Sequence, residues 1–262
     1  MADLAARALA VLGAADPDEK VALTRALAAD WRAGGVPAPG RPALPARPAR
    51  PSRPVLVRPG AVRRRRIGPA PAGRVALLHA LAHIELNAID LAWDMVARFA
   101  GHRLPRAFAD DWVAVAADEA EHFALLATRL AELGAAYGDL PAHDGLWEAA
   151  ARTAHDLLAR LAVVPMVLEA RGLDVTPAMI ARLDRAGDRA SGDVLRRIHA
   201  DEVGHVAAGM RWFARLCGER ALEPQTTWRR LVARYAAGAL KPPFNDRARA
   251  QAGLPRPFYA AA

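Results

Sequence analysis

Asp118-Glu119-Ala120-Glu121-His122 and Asp201-Glu202-Val203-Gly204-His205 each contain Glu-x-x-His, and each follows a lone glutamate set in an apolar stretch. Glu85 precedes Glu119 by 34 residues and Glu169 precedes Glu202 by 33. On an α-helix, residues three apart share a face, so each pair offers a carboxylate and an imidazole to one point. The ordinary fate of Glu and His is a solvated helix surface. With 10 Glu and 8 His among 262 residues, a chain of this composition yields roughly 0.3 such pairs by chance. Two copies with upstream glutamates at matched distance form an internal repeat, and four glutamates with two histidines are the ligand set of a two-metal carboxylate site in a helical bundle.

Working outward, the chain from Arg74 reads as helix throughout. Leu78, Leu81, Ala82, Glu85, Ile89 and Ala92 recur at steps of three and four between Arg74 and Ala100, one stripe interrupted only by the glutamate. A second helix is expected from Asp110, a capping residue, to Leu133, with Gly134 as its stop. A third runs from Gly145 to Arg171 and ends at Gly172; Pro165 inside it leaves the Leu161 carbonyl without its amide, which predicts a kink or a bulge. Thr176-Pro177 reads as a capped start for a helix to Ala186. After a break over Gly187 to Gly192, helices follow over 194–217 and 225–240. Nothing reads as a strand.

Residues 3–33 form one or two short helices broken at Asp16-Pro17. Between Val36 and Pro71 lie 10 of the chain's 20 prolines, interleaved with arginines and ending near Arg63-Arg64-Arg65-Arg66. Proline fixes φ and removes donors, so this stretch is expected to be an extended arm or a strap. Composition thus divides the chain into 1–73, helices and arm; 74–240, the helical body; and 241–262, an irregular tail.

The formal charge of +8 is concentrated at the front. Residues 1–75 hold 14 Lys+Arg against 5 Asp+Glu, leaving the remainder nearly neutral. Surface wrapping accounts for the arginine run more simply than a polyanion contact. Cys217 is the single cysteine, which excludes an intramolecular disulfide and a thiolate metal cage and fits a reducing cytoplasm. No apolar run approaches the ~18 residues of a membrane span, and no signal peptide is apparent.

Carboxylate oxygens with imidazole suit divalent and trivalent iron and manganese, and bridged ions sit about 3.5 to 4 Å apart. Glu85 and Glu169 are then terminal ligands, His122 and His205 bind one ion each, and Glu119 and Glu202 bridge. Four negative charges offset two ferrous ions, which makes burial of the cluster tolerable. A metal-bound histidine donates its other N–H to a carboxylate or carbonyl. Asp201 is therefore assigned to His122 and Asp118 to His205, against the alternative of exposed acids beside the site. His199 lies one turn before Glu202 and reads as a satisfied histidine or a channel lining. His79 and His83 lie off the face of Glu85, and His155 lies ~21 Å along the axis from Glu169 at 1.5 Å per residue, too far to ligate.

With this ligand order the chain resembles the ferritin-like di-iron-carboxylate superfamily. More narrowly, His83-Ile-Glu-Leu-Asn-Ala-Ile89, Asp139-Leu-Pro-Ala-His-Asp-Gly-Leu146, Val167-Leu-Glu-Ala-Arg-Gly-Leu-Asp-Val-Thr-Pro177 and Asp201-Glu-Val-Gly-His205 are similar to the bacterial family catalogued as domain of unknown function 455, over about residues 60 to 255. The resemblance implies an all-α, ferritin-like four-helix bundle with extra N- and C-terminal helices, all six ligand positions being retained. It names no substrate. The expected function is a cytoplasmic, oxygen-activating di-iron oxidoreductase, a hydroxylase or oxygenase that takes O2, a small organic substrate and an external electron donor. Fe/Fe, Mn/Fe and Mn/Mn pairs all accept these ligands. The alternatives are a ferroxidase or iron-handling protein without an organic substrate, and an RNA-modifying hydroxylase that uses Arg63 to Arg66. Small residues Gly204, Ala207, Ala208 and Gly209 leave room for an opening or serve close helix packing.

Overall fold

The computed structural model describes residues 2–62, 71–102 and 104–260. Among these the chain is all α, and its extended pairing is one isolated parallel bridge between Leu56 and Ala142. Packing divides it into two units, Met1–Trp147 and Glu148–Ala262.

In the first unit, α1 (Leu4–Gly13) and α2 (Pro17–Arg32) are separated where the sequence predicts. Asp16 accepts from the Asp18 and Glu19 amides and Pro17 opens the helix, so the break is a capped restart. The long helices α3 (Pro71–Arg98) and α4 (Arg106–Glu132) pack on one another, with α1 against α3 and α2 against α4. Every residue of α3 from Glu85 to Ala97 is buried. The expected single stripe is therefore a helix covered on all sides, as suits a core element. Its best 18-residue window has a mean hydropathy of 1.4, long and apolar enough to cross a membrane by length and composition, contrary to the sequence expectation. That window is 72% buried in the fold, and the helix carries Glu85, Asp90 and Asp94.

Helix α4 starts at Arg106, after Pro105, and not at Asp110. Asp110 caps nothing; it accepts from Trp31 Nε1 at 2.8 Å, while the Arg106 guanidinium lies 3.9 Å above the Trp31 ring. The stop falls where expected: Gly134 takes φ 73°, and the Gly134 and Ala135 amides bond the Ala131 and Leu130 carbonyls. Lys20 is fully buried, its Nζ donating to Asp90 Oδ1 at 2.5 Å and to the Val11 carbonyl at 3.1 Å. Arg50 reaches the other Asp90 oxygen and Asn87 Oδ1. Arg50 belongs to the proline-rich segment after α2, which is also fixed by Ala49 N–H to the Leu12 carbonyl at 2.8 Å and Val57 N–H to the Ala142 carbonyl at 2.8 Å. Arg63 to Arg66 lie outside the described residues.

Helix α5 (Gly145–Arg152) leads into the second unit, which contains α6 (Leu157–Val163), a π-helical turn (Val164–Glu169), α7 (Ala170–Arg185), α8 (Arg189–Glu219), α9 (Pro224–Tyr235) and α10 (Asp246–Gln251). The helix expected over 145–171 is interrupted at 153–156. Thr153 Oγ1 donates back to the Ala149 and Ala150 carbonyls, and Asp156 caps α6. The bulge predicted at Pro165 is the π turn itself. It packs on α8, and in the last turn of α6 just before it the Ala162 carbonyl takes a bond from Trp228 Nε1 of α9 at 3.1 Å.

Neither Gly172 nor Thr176-Pro177 marks a helix end; α7 runs through all three, with Pro177 inside it. Pro177 has no amide for the Leu173 carbonyl. Asn245 Nδ2 supplies that bond at 3.1 Å, with His199 Nε2 at 3.3 Å, so tertiary donors keep the helix intact. The break before α8 is short, at Gly187 (φ 77°) and the Asp188 cap, and leaves Gly192 inside the helix. Helix α9 ends at Tyr235, short of the expected Leu240.

Candidate metal centre

Within the first unit, Glu85 of α3 and Glu119 and His122 of α4 each offer a ligand atom within 4.8 Å of the other two. His122 Nδ1 stands 3.3 Å from Glu85 Oε2 and 3.4 Å from Glu119 Oε2. All three side chains are buried, Glu85 at 4% exposure and the others at 0%. Helical spacing on α4 produces the Glu119–His122 pair, and the α3–α4 packing brings Glu85 to it.

The electrostatics of the trio are those of a crowded carboxylate site. Burial, reinforced by the Glu119 charge, pushes the Glu85 carboxyl up to about 8. Burial alone would lower His122, but hydrogen bonding and attraction from Glu119 and Glu85 prevail and raise it to about 11. Glu85 Oε2 is buried, facing the His122 ring nitrogen at 3.3 Å. A desolvated carboxylate oxygen of that kind is costly unless it has a cationic partner. The donor set of two carboxylates and one imidazole suits iron or manganese, which take hard oxygen ligands with nitrogen as a borderline one. The Nδ1 atom of His122 is the ring nitrogen turned to the carboxylates. This buried group has the composition and spacing to hold a metal ion.

In the second unit, Glu202 and His205 share a face of α8, with His205 Nδ1 3.8 Å from Glu202 Oε1. Both are buried, at 8% and 2% exposure. Glu169 is the last residue of the π turn and is half-buried. Among the described residues, Glu169 and His205 join no group of three metal-competent atoms within 4.8 Å. Each unit thus presents one Glu-x-x-His pair on a long helix and one glutamate on the preceding helical segment. Asp201 accepts from Arg197 Nε at 2.6 Å, one turn back on α8.

The other histidines are engaged elsewhere. His79 Nε2 accepts from the Gly138 and Leu140 amides. His83 lies between Tyr137 Oη at 2.9 Å and the His143 carbonyl at 3.1 Å, and burial lowers it to about 4. His155 pairs with Tyr235 Oη at 3.0 Å. His199 takes the satisfied role through the Leu173 carbonyl. Of the small residues on α8, Gly209 serves close packing: a Cβ there would lie 2.5 Å from the Pro165 ring.

A family model described as "Protein of unknown function (DUF455)" matches residues 13–260. The chain belongs to DUF455. The DUF455 match reaches further toward the N-terminus than the motifs over residues 60 to 255 indicate, taking in all of α2 and the proline-rich segment. A Haemophilus influenzae protein described as an uncharacterized protein is 42% identical over 205 residues, which cover 76% of this DUF455 chain and 71% of that protein. No solved structure matches.

Proposed function

We propose that this DUF455 protein is a dinuclear, oxygen-activating oxidoreductase of the ferritin-like di-iron-carboxylate type. Glu85, Glu119, His122, Glu169, Glu202 and His205 would be its metal ligands, and α3, α4, the π turn with α7, and α8 the four rods of the bundle. The observation that carries the reading is the buried Glu85–Glu119–His122 group, whose ligand atoms converge on one point. The second Glu-x-x-His pair on α8, whose side chains lie on one face, would supply the matching half of the ligand set.

Two divalent irons, or a Mn/Fe or Mn/Mn pair, bound by these residues would supply the electrons that reduce O2. In a hydroxylation, R–H, O2, two electrons and two protons give R–OH and water, the electrons being restored by an external donor. The chain's own part is to exclude bulk water, hold four carboxylates at one point and orient two imidazoles. In this reading Asp201 would accept from the second ring N–H of His122 and Asp118 from that of His205, fixing each ring for ligation.

Protein purified anaerobically and loaded with Fe(II) or Mn(II) tests the proposal by metal analysis with oxygen consumption. Two ions per chain are expected, with loss of at least one in Glu119→Ala and in Glu202→Ala. Unchanged stoichiometry in both variants excludes the ligand set. Many irons per chain would transfer the site to iron handling, and salt-sensitive RNA binding lost on replacing Arg63 to Arg66 would transfer it to RNA.

A further inference from the structure

The second unit contains a cavity of about 600 Å³ between α9 and the segment that follows it, lined by Trp228, Val232, Ala236, Leu240, Phe244 and Tyr259 among others. We propose that this cavity is a binding site for an amphipathic monocarboxylate, its apolar body against these side chains and its carboxylate on Arg229.

The argument begins with Arg229, which lines the cavity. Its Nε and Nη2 donate to the Phe258 and Pro257 carbonyls, which fix the plane of the guanidinium. Among the described residues no carboxylate forms an ion pair with it, although arginines elsewhere in the unit, such as Arg196, Arg215 and Arg256, are so paired. No acidic side chain lines the cavity, and Lys241 stands between the lining residues Leu240 and Pro242. A guanidinium held rigid by carbonyls has lost its side-chain freedom before a ligand arrives, which is the condition for a strong charge-assisted bond to a carboxylate.

The ligand's charge sign follows from a second observation. Two of the aromatic rings that line the cavity already have a cation: Arg249, held by both oxygens of Asp174, lies 5.1 Å from the Phe244 ring centre and 4.5 Å from that of Tyr259, while the Trp228 ring packs edge-on against Phe258. The remaining walls are aliphatic and aromatic, so the body of the ligand is apolar. The volume lies within the range of small-molecule sites, about 300 to 1,000 Å³.

The test uses the full chain and isothermal calorimetry with decanoate, decan-1-ol as the uncharged probe of equal length, and benzoate as the compact aromatic probe. Decanoate is expected to bind at least tenfold more tightly than decan-1-ol. Arg229→Met removes that preference while leaving the alcohol's affinity unchanged. Ala233→Trp, on the exposed side of the lining, fills the cavity and abolishes both with every Arg229 hydrogen bond retained. Benzoate binding more tightly than decanoate assigns the body to a ring, the reverse to a chain. Failure of decanoate and benzoate alike to bind the unaltered protein overturns the proposal, as does equal decanoate affinity in Arg229→Met. Binding is expected unchanged in Glu119→Ala, which separates this site from the metal centre.

Discussion

Lys20 carries an ammonium into a place closed to water, and the chain admits it because Asp90 meets it there with Arg50 alongside. Burial pulls the Lys20 amine below its usual range and pushes the Asp90 carboxyl above its own, so each partner depends on the other to remain charged. Removing one member of a buried pair strands the other, at a cost of about 3 to 5 kcal/mol. Lys20→Met keeps the stem but not the charge and is expected to lower unfolding free energy by that amount in urea titrations. A loss under about 1 kcal/mol would show that Arg50 alone satisfies Asp90. At α1 the charge acts at the surface: Asp3 accepts from the Ala6 amide at 3.0 Å, which holds its carboxyl below the usual range. An acid lowered by folding stabilises above its unfolded value of 3.8 and loses that contribution as pH falls through the folded one. Asp3→Asn should therefore differ from the unaltered protein at pH 7 and converge with it in acid. A gap that persists at pH 2 would assign Asp3 a role unrelated to charge.

The π turn over Val164–Glu169 is where one element's geometry decides where a proposed ligand, Glu169, falls. An extra residue per turn shifts everything after it by about 100° around the axis, so Glu169 faces where it does because Pro165 denies the Leu161 carbonyl its normal partner. Gly209 of α8 gives the Pro165 ring its space. Gly209→Ala is expected to cost about 1 to 3 kcal/mol by overpacking, measurable as a lower denaturation midpoint; no change would mean that the two helices slide apart freely. Periodicity and caps made α1, α2 and the cores of α3, α4 and α8 legible, because those signals are local. The Thr176-Pro177 and Gly172 signals misled for one reason: the Leu173 carbonyl freed by Pro177 finds donors in Asn245 and His199, 72 and 26 residues away. The Lys20–Asp90 pair, 70 residues apart, was invisible on the same ground. The Glu119–His122 pair was readable because helix geometry alone brings its members together, whereas the approach of Glu85 depends on how α3 and α4 pack.

For the molecule as a whole, the buried Glu85–Glu119–His122 group ties stability to proton concentration. In the metal-free protein Glu85 is raised to about 8 and His122 to about 11. An acid raised by folding stabilises below its unfolded value, 4.5 for Glu85, and loses that as pH rises through 8. A histidine raised by folding does the same from 6.5 upward toward 11. The two signs agree, so metal-free protein should weaken steadily from pH 5 to pH 9. Metal binding reverses the trend, because ligation requires the deprotonated carboxylate and the neutral imidazole and releases the protons that the empty site holds. At a hundredfold excess over Kd the ion adds about 2.7 kcal/mol by mass action, and at a fixed Mn(II) concentration this gain should grow with pH as deprotonation of the ligands lowers Kd. Denaturation midpoints at pH 5, 7 and 9, with Mn(II) and with a chelator, therefore form two lines that diverge toward alkali. In Glu119→Gln the Glu85 carboxyl loses its charged neighbour, so the chelated line should flatten while the Mn(II) line collapses onto it. Metal-free stability that rises with pH would mean that the trio is not the proton store its geometry describes, and parallel lines would mean that the ion binds elsewhere.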